Sequence, residues 1–413
     1  MGGGGRIVLY QRQTYIEKLL SARDNGLVKV ITGMRRCGKS CLLQLFSEQL
    51  EQLGVDSDHI VSINFESYEF EAVRTHRDLY ELVSSRLPAE GRSYVLLDEV
   101  QYVEGWERAV NELRVDADVD IYLTGSNAHL LSSQIATLLS GRSIEISVMP
   151  FTFSEFLGFS GCSADEAALE RYARYGGLPP VVEQGVNHGL AQTVLSGVYD
   201  TVFVRDIAQH VQVRNQQVFD DIARYLADTV GSPVKVSNIE NRLRSAHRAI
   251  SNDTVERYIR ALLDAFLFRR ADRVDVKGGR RLQGLSKYYV ADTGIRNMLC
   301  GFLPGDYGAV LENIVYNELI ARGYVVHAGK TDRLEVDFVA TLTDESLRQR
   351  TTYIQVTTSM LDAATREREL RALASLGRLP GDRLVITLDR LGLGWEETAG
   401  AQVVSAIDWL TSV

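Results

Sequence analysis

Residues Gly33 to Ser40 read G-M-R-R-C-G-K-S and match the phosphate-binding pattern G-x-x-x-x-G-K-[ST]. In such a loop the backbone of Gly33, Met34, Arg35, Arg36, Cys37, Gly38, Lys39, Ser40 and Cys41 wraps a phosphate chain. Lys39 is then the cation that reaches the β- and γ-phosphates, and the Ser40 hydroxyl is a Mg²⁺ ligand. Downstream, the apolar run Tyr94 to Leu97 ends in Asp98 and Glu99. A buried strand that ends in two acids can deliver Asp98 to the metal and set Glu99 beside it as the base that polarises an attacking water. A further run from Asp120 ends in Thr124-Gly125-Ser126-Asn127. Thr124, Ser126 or Asn127 would bond the γ-phosphate or the lytic water; alternatively Ser126 and Asn127 cap a helix starting at Ala128. Together these residues point to a nucleotide as ligand, Mg²⁺ as cofactor and hydrolysis as the reaction.

Such chemistry needs strands that release the loops at one edge of a sheet. Val28 to Thr32 is a β-branched run before the glycine loop, and Cys41 to Phe46 continues as a helix that ends near Gly54. Tyr15 to Ala22 reads as a short helix, followed by the Asp24-Asn25-Gly26 turn. Ile60 to Phe65 alternates as a second strand, Asp78 to Leu87 reads as a helix, and Ser143 to Val148 as a last strand after the Ser140-Gly141-Arg142 turn. Strands alternating with helices predict an α/β domain with a parallel sheet.

The glycine loop, the V-L-L-D-E strand, T-G-S-N and the S-G-R turn together resemble an AAA-type ATPase core over roughly Arg6 to Met149. In that family an arginine between the sensor helix and the last core strand often acts on the ATP of a neighbouring subunit. The resemblance implies that the nucleotide is ATP, makes Arg142 a candidate catalytic finger and implies a homo-oligomer. The plainer reading is a helix C-terminal cation that complements the helix dipole. Asn64, by the same resemblance, would hold Glu99 inactive until a partner binds.

Past Pro150 the pattern is helical to about Gln212, broken at Tyr175-Gly176-Gly177-Leu178-Pro179-Pro180, which resembles the lid break of signal-transducing AAA relatives. The lid arginine usual in the family is not evident; Arg174 and Arg205 are both available. Val218 to Val230, Val236 to Arg244 (with Ser237 as cap) and Asp253 to Phe266 (capped by Asn252 or Asp253) read as three helices. A hairpin from Arg269 to Val290 with its tip at Gly278-Gly279 completes a winged helix-turn-helix pattern. Its basic residues include Arg242, Arg244, Arg248, Arg257, Arg260, Lys277, Arg280 and Arg281. DNA phosphates would be met by Arg257 and Arg260 of the third helix and by Arg280 and Arg281 of the wing. The alternative is a packing module with a solvated basic face. The expected fold class is thus a P-loop parallel-sheet core (1–149), a helical lid (150–213), a winged helix-turn-helix (214–300) and a C-terminal α/β domain (301–413).

Composition is consistent with this plan. Among 413 residues the net charge is −9, which argues against a uniformly basic nucleic-acid binder but leaves a local basic face open. No apolar run is long enough for a membrane helix, so no membrane partner is expected. Met1 with Gly2 to Gly5 reads as a disordered lead-in, neither signal peptide nor myristoylation site given Arg6. Cys37, Cys41, Cys162 and Cys300 are too scattered for a zinc knuckle or disulfide framework, so a cytoplasmic location is expected.

The C-terminal stretch reads as a helix (Ala309 to Arg322), strands at Tyr324 to His327, Leu334 to Val339 and Tyr353 to Thr357, a charged helix from Ala363, and a strand at Leu384 to Leu388. This order resembles the restriction-endonuclease-like core from about Gly305 to Val413. The resemblance implies a helix Glu, a hairpin Asp and a Glu-x-Lys. Glu312 and Asp337 match the first two, whereas Gln355 and Thr357 stand where the acid and the lysine belong. A neutral amide is a poor Mg²⁺ ligand, and no lysine remains to activate water. A non-cleaving module retained for DNA or partner binding is expected. Mg²⁺-dependent DNA cleavage by the full chain that disappears in Asp337→Ala would contradict it.

Overall fold

The computed structural model describes all residues except 1–8, 129–140, 186, 249, 332–333, 345, 391–399 and 413. The glycine lead-in and the helix expected after Ala128 therefore lie outside the described residues. The chain forms two compact units, Met1–Val148 and Met149–Val413.

In the first unit, α1 (Gln13–Ser21) precedes β1 (Val28–Thr32) and α2 (Lys39–Gln52). Then follow β2 (Ile60–Asn64), α3 (His76–Arg86), β3 (Ser93–Asp98), α4 (Trp106–Asp116), β4 (Val119–Gly125) and β5 (Ser143–Ser147). The five strands run parallel in the order β2-β3-β4-β1-β5. Helix α4 had no counterpart in the sequence reading. Yet Trp106, Ala109, Val110 and Leu113 are all buried and fall at i, i+3, i+4 and i+7, a helical period. β1 and β3 are buried along their whole length, as a sheet covered on both faces requires. That makes Lys29 in β1 a liability. Fully buried, it is paired with Asp120 of β4, whose other oxygen takes the Tyr122 hydroxyl at 2.8 Å. Burial lowers the Lys29 pKa, and Asp120 opposes that shift.

The second unit begins with α5 (Phe153–Ser160), α6 (Glu166–Tyr175), α7 (Pro179–Val182) and α8 (His188–Val202). Three helices, α9 (Gln216–Asp228), α10 (Val236–Ser245) and α11 (Asn252–Asp264), lead into the hairpin β6 (Phe268–Asp275) and β7 (Arg280–Val290). The α11 cap is Ser251, whose side chain accepts from Thr254 N; α10 starts after Lys235 with no side-chain cap bond, so the caps expected at Ser237 and at Asn252 or Asp253 are not used. The chain continues with α12 (Thr293–Cys300), α13 (Tyr307–Ala321), β8 (Val325–Lys330), β9 (Glu335–Thr343), β10 (Gln349–Thr357), α14 (Ala363–Ala374), β11 (Asp382–Thr387), β12 (Gln402–Ser405) and α15 (Ala406–Thr411).

One seven-stranded sheet runs β12-β11-β10-β9-β8-β6-β7. The hairpin expected as the wing of a separate domain is thus continuous with the C-terminal sheet, through the parallel pairing of Arg273–Asp275 with Ala328–Lys330. Residues 150–213, 214–300 and 301–413 lie inside one compact unit, where sequence patterning alone suggests three. Backbone pairing across the 300 boundary is invisible to periodicity, which reads each strand by itself.

The glycine break after α6 is a packing device. Gly177 N donates to Asp292 Oδ2 at 2.7 Å and Ile295 N to Oδ1 at 3.2 Å. A Cβ on Gly177 would lie 2.2 Å from the Phe151 carbonyl oxygen. Asp292 is buried, and burial pushes its carboxyl from 3.8 up to about 6 against the pull of these N–H donors. A carboxyl raised in the folded state adds stability fully below its unfolded value and loses that contribution as pH climbs through the folded one. In chemical denaturation, wild-type stability relative to Asp292→Asn should therefore fall between pH 4 and pH 6, by on the order of 3 kcal/mol.

Candidate active site

Parallel strands release their C-terminal ends at the same edge, and the candidate residues collect there. The glycine loop leaves β1 after Thr32 and enters α2 at Lys39, with Gly38 at φ +103 as the N-cap. Gly33, at φ +149, would bring a Cβ to 2.3 Å from the Val148 carbonyl oxygen, so the first glycine of the motif is required by the close passage of β5's exit. Cys37 is buried and its thiol lies 3.5 Å from the same carbonyl. Met34 is buried, Arg36 is exposed at φ +69, and Cys41 is half-buried in the first turn of α2. Arg35 is buried with its guanidinium on Glu66 at 2.8 Å, a partner just past β2 that the sequence reading missed. The loop is thereby tied to β2.

Lys39 Nζ, 3 % exposed, donates to the carbonyl oxygens of Gly33 and Met34 at 3.0 and 3.2 Å and lies 3.8 Å from Glu99 Oε1. Ser40 follows at the helix start with its residue exposed. Asp98 and Glu99 are each 5 % exposed at the end of β3. Between β3 and β1 lies β4, and its Thr124 locks the acidic pair: the hydroxyl donates to Asp98 Oδ1 at 2.5 Å and accepts from Glu99 N at 2.9 Å. Thr124 is thus a positioning residue for both acids. Ser126 is fully buried and donates to Glu99 Oε2 at 3.4 Å; Asn127 is buried beside it.

Glu99 has φ +54, a left-handed backbone that costs a non-glycine residue about 1–2 kcal/mol. This strain sits at the residue expected to act as base. Its carboxylate is held by Gln101, whose amide donates to Glu99 Oε2. Asn64 does not do this. It is exposed, and its side-chain oxygen accepts from Glu66 N at 2.8 Å, closing its own turn. The restraint expected from β2 is supplied from the turn after β3, because Glu99's left-handed backbone brings Gln101 back onto it.

Arg142 is not part of the site on its own chain. It precedes β5, its carbonyl oxygen accepts from Val28 N at 2.8 Å, and the β1–β5 register pairs Val28 with Ser143 and Thr32 with Ser147. Arg142 therefore stands at the N-terminal edge of the sheet and the glycine loop at the C-terminal edge. Its side chain is exposed.

In the second unit, a cavity of about 470 Å³ is lined by Glu312, Asp337, Gln355, Thr357 and Glu369 among others. The two acids matched from the nuclease-like pattern do meet. Lys287 of β7 lies between them, 3.1 Å from Glu312 Oε1 and 3.8 Å from Asp337 Oδ1. The reading that no lysine remains in this region is corrected here: Lys287 comes from a strand far upstream of the motif. Burial alone would lower its pKa, but Glu312 and Asp337 outweigh this and raise it. Burial, and then the Glu312 charge, push the Asp337 carboxyl up in spite of Lys287.

The basic helices are partly self-neutralised. Arg242 pairs with Asp228 at 3.8 Å, Arg244 with Glu240, and Arg248 with Asp221. Arg257, Arg260, Arg280 and Arg281 are exposed. No described helix is long and apolar enough to cross a membrane.

A family profile described as an AAA domain matches residues 25–157, and one for a domain of unknown function (DUF8612) matches residues 166–306. The chain is 37% identical over 409 residues to an uncharacterized protein of Haemophilus influenzae, covering 97% of this chain and 98% of that one. It is 28% identical over 361 residues to an uncharacterized protein of Methanocaldococcus jannaschii, covering 84% and 77% of the two. Among solved structures, the Holliday junction branch migration motor RuvB of Thermotoga maritima aligns with 63% of this chain and 89% of its own, at 17% identity and a TM-score of 0.32.

The hydrogen bond donated by the Gln101 amide occupies a Glu99 oxygen that a water would otherwise use. Replacing Gln101 by Ala should raise nucleoside triphosphate turnover, within about tenfold, as measured by phosphate release. A drop in turnover would assign Gln101 to orienting the base.

Proposed function

The chain belongs to the AAA ATPase family, and on that premise we propose that it binds ATP at Gly33–Cys41 and hydrolyses it in a Mg²⁺-dependent reaction. The observation that carries the reading is the meeting of Lys39 with Glu99 at 3.8 Å, with Asp98 fixed alongside by Thr124. The donors suit a hard cation: the Ser40 hydroxyl and the Asp98 oxygen not engaged by Thr124 are oxygen ligands of the type Mg²⁺ prefers. When bound there, Mg²⁺ neutralises charge on the β- and γ-phosphates. Lys39 leaves the loop carbonyls to meet those phosphates, and the loop N–H groups with the α2 N-terminus hold them. Glu99 takes the proton of the attacking water, and Ser126 and Asn127 line the place where the γ-phosphate would lie.

Arg142, exposed at the far edge of its own sheet, suits the finger role toward an adjoining subunit, so the working form in this reading is a homo-oligomer. Residues 150–213 serve as lid and 214–300 as winged helix-turn-helix, while 301–413 are a nuclease-like module without cleavage activity. Exposed Arg257, Arg260, Arg280 and Arg281 are the DNA-facing cations in this reading. A second reading, a nucleotide-driven switch with protein partners, is favoured by the ion pairs that neutralise Arg242, Arg244 and Arg248.

Glu99→Gln should keep ATP binding and lose turnover by about 10²–10⁴, whereas Lys39→Ala should lose binding. Equal turnover in wild type and Lys39→Ala would reject the hydrolytic reading. Mixing Arg142→Ala with Lys39→Ala chains should restore activity absent from either alone, because one mixed interface keeps both groups. Stimulation of turnover by DNA, weakened when Arg257 and Arg260 are replaced, separates the DNA reading from the switch.

A further inference from the structure

The cavity around Glu312 and Asp337 has two acids of the kind a metal-dependent phosphodiesterase uses, but a lysine already stands between them. Glu312 Oε1 accepts from the Tyr289 hydroxyl at 2.7 Å as well as from Lys287 at 3.1 Å. Its Oε2 abuts Gly231, where even a Cβ would come within 2.6 Å. Asp337 Oδ2 accepts from Val356 N at 2.9 Å. Glu369, 5 % exposed, is shared by Gln355 Nε2 and Arg368 Nη2, each at 2.6 Å. Gln355 Oε1 is engaged too, accepting from Asp337 N at 2.7 Å. Mg²⁺ is held by one or two carboxylates with waters completing its octahedron, so the charge standing between the carboxylates decides whether it can enter. Here Glu312 Oε2 and Asp337 Oδ1 accept no hydrogen bond from the described residues, and the space that a cation would share between the two acids is held by an ammonium 3 % exposed, 3.1 Å from Glu312 Oε1 and 3.8 Å from Asp337 Oδ1. Among the described residues, no group of three acids, histidines or cysteines is arranged to hold a metal. A divalent ion expected from the nuclease-like fold does not fit these residues.

We infer that the Lys287 ammonium is the resident cation of this site, holding Glu312 and Asp337 together where related chemistry would use a divalent metal, so that the C-terminal site is metal-independent. The lysine supplies positive charge between carboxylates from α13 and β9, and its own strand carries the Tyr289 that anchors Glu312. Tyr289 stacks on Tyr316 of α13 with ring centroids 4.0 Å apart and packs against Phe338 of β9 at 5.6 Å, which fixes the three elements around the cation. A fixed ammonium both satisfies the acids and repels a second cation at contact range. The inference does not depend on the nucleotide reading of the first unit.

The test is Mn²⁺ titration of the full-length chain, followed by electron paramagnetic resonance, in an Asp98→Asn background that silences the P-loop metal position. With Lys287 in place, no Mn²⁺ should bind at the C-terminal site. Adding Lys287→Met should create a Mn²⁺ site there, through removal of the like charge, and that site should disappear when Asp337→Asn is added. Lys287→Met leaves buried acids uncompensated, so its Tm is measured with and without Mn²⁺; recovery of the melting temperature by Mn²⁺ is the expected result. Should that variant fail to fold, the Lys287-containing protein still decides the matter: Mn²⁺ binding there that is lost in Asp337→Asn overturns the inference. A folded Lys287→Met chain that binds no Mn²⁺ overturns it equally.

Discussion

The parallel sheet of the first unit constrains everything the site can do. Five strands running the same way bring their C-terminal ends to one edge, and β4 lies between the strand that carries the phosphate loop and the strand that carries the acids. Thr124 on β4 therefore touches both Asp98 and Glu99, and Ser126 reaches Glu99 from the same strand end. The loop itself closes only because Gly33 lets the chain pass the carbonyl of Val148. A side chain at that position would push the loop off β5 and move Lys39 away from Glu99. The buried Lys29–Asp120 pair belongs to the same constraint: with the sheet covered on both faces, a charge in β1 survives only with a partner in β4.

The second unit solves the same problem of placing charge in a buried setting by different means. Its sheet is mixed, and it recruits the β6–β7 hairpin through a short parallel contact with β8. That recruitment brings Lys287 and Tyr289 to Glu312, while Arg242, Arg244 and Arg248, ahead of the hairpin, pair with nearby acids. The hairpin thus serves the C-terminal site as much as the helices it follows. Asp292, two residues after β7, ties the glycine break to the start of α12 by accepting from Gly177 N and Ile295 N.

Much of the first unit was legible because its signals are local. The bounds of β1 follow from four β-branched residues in a run of five before a glycine loop, and the ends of β3 and β4 follow from apolar runs that finish in polar groups. Helix α4 was less legible although its apolar period is present, because it starts after Gly105 with no side-chain cap bond to mark its beginning. The C-terminal order of helix and strands was legible for the same local reason, apart from β12 and α15.

Residue types and short spacing by themselves determined the phosphate loop, the acidic pair and the neutral Gln355 and Thr357, since each is a property of a few neighbouring positions. Tertiary structure alone decided which side chain restrains Glu99, because Gln101 reaches it only through a left-handed turn and Asn64 spends its oxygen on its own backbone. It alone decided that Arg142 stands at the opposite edge of the sheet from the loop of its own chain. It also placed Lys287 between Glu312 and Asp337, across 25 and 50 residues of sequence. No periodicity encodes such a meeting, because the attraction between those charges acts only after the sheet and helix have brought them within reach.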